Sequence, residues 1–257
     1  MRKVWCVGAL LASLLSGGVA FALDEIGNPV PMLKQGEFGV GLESNYSQRD
    51  MELNRRVFGI DLADRGIEIR RTTVGARLDY GIIDGLGVFL RMGSSWDEVK
   101  GALGIFDRID ADGNGEFAAG AGVKVTLYKF TEAIRLGASV QGNYHRLDAH
   151  ATEEDIMARE SLEADLFDVT GAVGVSAALD PFTVYGGVFA SWTFATEDFD
   201  VVIDGQKVPA DATLEEHGNV GLFVGASYPV TDRLSVGANA HLMDGGWGAG
   251  GLVIFRL

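Results

Sequence analysis

The stretch Asp110-Ala111-Asp112-Gly113-Asn114-Gly115-Glu116 sets oxygen ligands at alternate positions and a glycine at the sixth, as a calcium loop begins. The chemistry would be hard-cation binding by Asp110, Asp112, Asn114 and Glu116. Helical flanks are absent, and the twelfth position, where a bidentate glutamate belongs, is Ala121. A solvated turn leading into a strand therefore competes with a weak metal site.

The second group able to do chemistry is the four histidines, His145, His150, His217 and His241. The chain contains neither G-x-S-x-G nor H-E-x-x-H, so no nucleophile or zinc ligand pair accompanies them. No enzyme and no cofactor are expected. Cys6 is the only cysteine, which excludes disulfide frameworks and thiolate sites downstream. The third group is a set of charges, Glu43, Arg77, Asp79, Arg91, Lys124, Arg135 and Asp168. Their meaning depends on the elements that carry them.

Those elements are strands. "IRLGASVQGNY" sends Ile134, Leu136, Ala138, Val140 and Tyr144 to one face and Arg135, Gly137, Ser139, Gln141 and Asn143 to the other. The same period of two predicts ten strands, at 37–48, 66–80, 86–97, 116–128, 133–146, 163–179, 182–196, 214–228, 233–243 and 246–257. "YGIIDGLGV" from Tyr80, "YKFTEAIRL" from Tyr128 and "YPVTDRLSV" from Tyr228 repeat one pattern, and Leu179-Asp180-Pro181-Phe182 marks a tighter fourth turn. Each closes a strand and opens the next. Short turns at 81–85, 129–132, 180–181 and 229–232 thus alternate with long loops at 49–65, 98–115, 147–162 and 197–213. Only the hairpin at Asp244-Gly245-Gly246 is short where a long loop is expected.

The first residues read as an address. Arg2 and Lys3, the run "VWCVGALLASLL" and the triplet Ala20-Phe21-Ala22 form a secretory signal peptide cut after Ala22. Its removal takes the net charge from −15 to about −17. Such acidity argues against nucleic acid, whose phosphates need Lys and Arg. The stretches 97–116, 148–165 and 197–217 carry net charges of −4, −6 and −6, whereas 47–70 is neutral. Loops of that kind attract divalent cations or basic ligands, or are simply solvated.

The strands have one face without charge, as at Val123, Val125 and Leu127, and its aromatic residues sort by height. Phe38, Tyr80, Phe182, Tyr228 and Phe255 lie at the short-turn end. Tyr46, Trp96, Phe117, Tyr144, Phe167, Trp192 and Trp247 lie toward the loop end. Two girdles separated by aliphatic residues match a bilayer with two interfaces. The other face holds the charges and most of the strand glycines, among them Gly39, Gly41, Gly87, Gly120, Gly122, Gly137, Gly221 and Gly225. Glycine weakens a strand, but in a crowded barrel interior it makes room for longer neighbours. His145, His217 and His241 also fall on this face, near the loop end.

With its signal peptide, its tyrosine-ended strands before acidic turns and its last strand "GLVIFRL", the chain resembles bacterial outer-membrane β-barrel proteins of the small, porin-like class. Gly251, Val253, Phe255 and Leu257 share a face there, as the family's terminal assembly signal requires, although that family usually ends in phenylalanine. The resemblance implies an all-β fold: a ten-stranded antiparallel transmembrane barrel over 37–257, with short periplasmic turns and long surface loops. Residues 1–22 are the signal and 23–36 a periplasmic lead-in. The partners it implies are outer-membrane lipid and the assembly machinery. The expected function is a structural or narrow solute-pore role with a charged lumen. The alternative is surface recognition or adhesion through the acidic loops, and a barrel-embedded hydrolase is the weaker third reading.

Overall fold

The computed structural model describes residues 26–57, 60–101, 109–112, 115–153, 158–203, 206–208, 210–216 and 220–257. These form one antiparallel sheet of β1 (Phe38–Val57), β2 (Ile60–Ile83), β3 (Leu86–Gly101), β4 (Ile109–Asp112), β5 (Glu116–Lys129), β6 (Ile134–Glu153), β7 (Ala158–Leu179), β8 (Phe182–Ile203), β9 (Gln206–Val208), β10 (Ala210–Glu216), β11 (Val220–Pro229), β12 (Leu234–Met243) and β13 (Gly246–Arg256). The sheet closes because β1 pairs with both β2 and β13. Ten strands make the wall, the barrel type expected from the alternation. The short β4, β9 and β10 extend it at one end. The signal peptide lies outside the described residues.

A membrane strand needs about 9–11 residues, yet β2 has 24 and β7 and β8 have 22 each. The surplus lies where long loops are expected, and it remains paired: β6 and β7 hold register from Ile134↔Ala177 to Glu153↔Ala158. Above the short Asp244-Gly245 hairpin, β10 replaces β13 beside β1, from Met51↔Glu216 to Val57↔Ala210. The wall is thereby continued past its shortest strands.

What ends at the upper girdle is the polarity of the two faces, not the strands. Below it the outward residues are apolar, such as Val74, Leu78, Val140 and Val173, and the inward ones polar, such as Thr73, Arg77, Gln141 and Thr170. Above it Met51, Ile67, Ile69, Val99, Leu147 and Leu166 point inward and are buried. Between them Glu68, Arg70, Glu98, Lys100 and Arg146 point outward and pair as Arg70–Glu68, Lys100–Glu98 and Arg146–Glu163. Through the upper girdle the side-chain alternation runs on, from Thr73 to Ile67 and from Thr170 to Leu166, but oil surrounds the lower wall and water the upper one. Each segment turns its apolar side to whichever environment is dry.

The inversion yields a paired test on β7, where Val173 and Asp165 lie on the same outward face. Val173, 44% exposed in the lipid belt, should lose about 2–4 kcal/mol on replacement by Arg near the midplane. Asp165→Arg, above the belt, should cost under about 1 kcal/mol. Refolding titrations in lipid vesicles measure both, and equal costs would overturn the placement of the interface.

Within the stretch 23–36 expected as a periplasmic lead-in, residues 26–33 lie inside the bore. Ile26, Asn28, Val30 and Leu33 are buried, and Ile26 joins Ala172, Tyr185, Phe189, Phe223 and Met243 in an apolar cluster on the inner wall. The chain then descends to the rim and reverses at Gly36, whose φ of 78° only glycine adopts without strain. Backbone bonds Gly36 N–H to Gly81 O (2.8 Å) and Gly81 N–H to Glu37 O (3.0 Å) fasten the reversal, and β1 rises from there.

Candidate functional site

Inside the lower half, Arg77 of β2 stands directly opposite Arg91 of β3 in the register. Like charges so placed repel, and three features offset the repulsion. Glu43 of β1 lies between them, 3.6 Å from Arg77 and 3.8 Å from Arg91. Asp79 takes a two-pronged bond from Arg77, at 2.8 and 3.0 Å. Gln141 accepts from Arg91 at 2.7 Å. Phe89 lies beneath the cations, its ring centroid 4.0 Å from Arg77, 5.1 Å from Arg91 and 5.4 Å from Lys124. Among the described residues this layer gathers Arg77, Arg91 and Lys124 with Glu43 and Asp79.

A second layer sits at the level of the upper girdle. Arg71 of β2 donates to Asp97 of β3 at 2.6 Å and also contacts His145 Nε2. Asp168 of β7 accepts from Thr193 at 2.6 Å and lies 3.7 Å from both Arg49 and His145 Nε2. The remaining height is filled by Asn45, Ser47, Asn143, Asn239 and His241, all buried. His241 stands edge-on to Phe189 with centroids 5.7 Å apart. Above the membrane, the hydrogen bond from Arg146 to Glu163 raises the Arg146 pKa further above the ordinary arginine value.

Of the charges grouped from sequence, the structure brings Glu43, Arg77, Asp79, Arg91 and Lys124 together. It places Asp168 in the upper layer and leaves Arg135 at the short-turn mouth, donating to the Glu132 carbonyl. Sequence reasoning passed over Arg49, Arg71, Asp97 and Phe89. Each continues the inward parity of its strand, so the rule that found Arg77 and Arg91 reaches them too. Among the outward rings, Phe38 packs on Tyr80 and Phe182 on Tyr228 at the short-turn end, and Tyr46 packs on Trp247 toward the other.

Asp110 and Asp112 fall in β4, an extended strand paired with β3. Glu116 opens β5, while Asn114 and His217 lie outside the described residues. No cluster of three metal-ligating side chains occurs among the described residues.

The glycines of the polar face show what they accommodate. A Cβ on Gly122, Gly225 or Gly221 would collide with the inward rings of Phe89, Tyr185 and Phe189. Four others accept the N-terminal segment. A Cβ on Gly137 would stand 2.8 Å from the Pro29 carbonyl and from Val30, and one on Gly81 would strike the Lys34 carbonyl. At Gly39 it would touch Leu33, at 3.4 Å, and at Gly87 Pro31, at 3.5 Å.

No protein-family model matches the chain, and no curated protein matches its sequence. Solved structures share its fold. The outer-membrane protease OmpT of Escherichia coli superposes with a TM-score of 0.50 at 10% identity, covering 86% of this chain and 94% of its own. The translocator domain of the autotransporter NalP from Neisseria meningitidis gives 0.48 at 11% identity over 99% and 96% of the two chains. The outer membrane protein OprG of Pseudomonas aeruginosa gives 0.45 at 11% over 87% and 98%.

Proposed function

We propose that this chain, a ten-stranded barrel of the bacterial outer-membrane type, works with its bore closed, as a structural and surface-presenting barrel rather than a pore. The observation that carries the reading is the layered filling of the lumen among the described residues, in which the gaps are as small as about 40 Å³ beside Phe89 and about 10 Å³ beside His145. The N-terminal segment and the Phe89 layer occupy the periplasmic half, asparagines and His241 the middle, and the Arg71–Asp97–Asp168 layer the upper level. Met51, Ile67, Ile69, Val99, Leu147 and Leu166 form a dry cap above that. Ten strands enclose little more than the eight whose interior side chains can fill.

With the bore shut, the exposed chemistry belongs to the extension. The described parts of the acidic stretches 97–116, 148–165 and 197–217 fall at the end of the barrel away from the short turns. Divalent cations or basic surfaces are the ligands such charge recruits. A hydrolase is the weaker reading. His145, buried against Arg71 and Asp168, has an apolar layer above it.

Planar bilayers test the closed state. The mature protein should insert without conductance steps. Well-resolved steps would return the reading to a narrow pore.

A further inference from the structure

The segment that fills the periplasmic half is seated rather than woven into the wall. Its seat is made by glycines from four strands, Gly39 in β1, Gly81 in β2, Gly87 in β3 and Gly137 in β6. Any side chain at Gly81 or Gly137 would take space the segment occupies. Against this close steric match, the polar fastening is light. Inside the bore, Asn28 donates to Ser176 at 3.2 Å. The Gly36 and Glu37 bonds to Gly81, with Gln35 N–H to Asp84 at 3.2 Å, hold only the rim. The ion pairs Arg77–Glu43, Arg91–Glu43 and Arg77–Asp79 all join wall strands to one another. Residues 26–33 can therefore leave without breaking these pairs, swinging about the glycine reversal at Gly36.

A cavity of about 40 Å³ already adjoins the segment. Asn28, Arg77, Phe89, Lys124, Tyr185 and Ser235 are among its lining residues. Departure of the segment would enlarge it into a blind pocket, open below and closed above by the asparagine and ionic layers. Its wall would combine guanidinium and ammonium groups with an aromatic face and the apolar Leu252 and Ile254.

We propose that residues 26–33 are a removable stopper and that the pocket beneath it takes small organic anions with an apolar body, such as aromatic carboxylates, from the periplasmic side. Carboxylate would meet Arg77 and Lys124, and the apolar body would replace Val30 and Leu33. This goes beyond the closed-barrel reading, since a blind pocket needs no passage through the barrel.

The mature chain from Leu23 contains no cysteine, so Ser235→Cys reports access to the cavity. The probes are 2-sulfonatoethyl methanethiosulfonate, an anion, and its trimethylammonium counterpart, a cation, applied to full-length mature protein refolded in detergent. Adding Gly137→Leu, which displaces the segment, should speed anionic labelling at least about tenfold, as local opening of a buried site requires. The anionic reagent should then outpace the cationic one by about tenfold, the lower end of electrostatic focusing in a charged cleft. Lys124→Met should reduce that preference. Gly81→Val provides an independent displacement should Gly137→Leu fail the heat-modifiability check of folding. A folded seat variant with unchanged labelling would overturn the stopper, and equal or faster cationic labelling would overturn the anion pocket. Conductance of Gly137→Leu is a separate matter: current there would defeat the closed upper half and leave the pocket standing.

Discussion

Removing Gly251 to Leu257 is expected to abolish membrane assembly altogether. In this stretch β13 pairs on one side with β1, from Ser44↔Gly251 to Gly39↔Arg256, and on the other with β12, from Ala238↔Gly251 to Leu234↔Phe255. The Leu257 N–H also donates to Phe38 O, at 2.9 Å. Without these residues the lower halves of β1 and β12 present bare backbone edges to hydrocarbon. Each unsatisfied group there costs several kcal/mol, and a barrel with two such edges exceeds a typical total stability of about 5–15 kcal/mol. The heat-modifiable, protease-resistant species should be missing from membranes of cells expressing the truncated chain. Leu257→Phe, which supplies the family's usual terminal residue, should assemble normally. Stable membrane insertion of the truncated chain would show that β1 and β12 can close without β13.

The truncation also bears on the stopper. Ile254 of β13 packs where a Cβ on Gly39 would stand, and Leu252 and Ile254 line the cavity beside residues 26–33. Closure of the wall and seating of the segment therefore share residues.

The membrane half of the wall is legible in the sequence because two unlike media impose opposite demands on alternate residues. Val173 must face lipid and Thr170 the interior, and a period of two records both. The same rule loses the upper wall at Arg49, Arg71, Asp97, His145 and Asp168. Beyond these residues the inward parity turns apolar, at Met51, Ile69, Val99, Leu147 and Leu166, so a scan for one constant oily face stops there. The acidic residues that follow then read as loops, although charge on the wetted side of a strand looks the same as charge on a loop.

The stopper was illegible for a different reason. "IGNPVPML" has two prolines and no period, so locally it is a linker, and only its glycine seat shows that the wall was shaped around it. Those glycines are visible in the sequence as an excess on one face. What they accommodate, a ring at Gly122 and a backbone carbonyl at Gly81, is set by strands remote in sequence. Phe89 was hidden by its type, since a ring on a polar face reads as an exception until three cations are found around it.

The largest effect of a single substitution is expected at Glu43. Its side chain is 1% exposed and stands between Arg77 and Arg91, which face each other across β2 and β3. Glu43→Gln keeps the shape and removes the charge, leaving two buried guanidinium groups opposed with one carboxylate fewer between them. Breaking a buried ion pair from one side typically costs about 3–5 kcal/mol, and the low-dielectric surroundings of this layer favour the upper part of that range. Urea titration of the barrel in lipid vesicles should register the loss as an earlier unfolding midpoint with an unchanged slope. Adding Arg91→Gln should restore much of the loss, because the repulsion and the missing carboxylate vanish together. Residues in one network couple by about 0.5–3 kcal/mol in such cycles. Additive losses in the double variant would mean that Glu43 does not mediate between the two arginines, and that Phe89, Asp79 and Gln141 hold the layer without it.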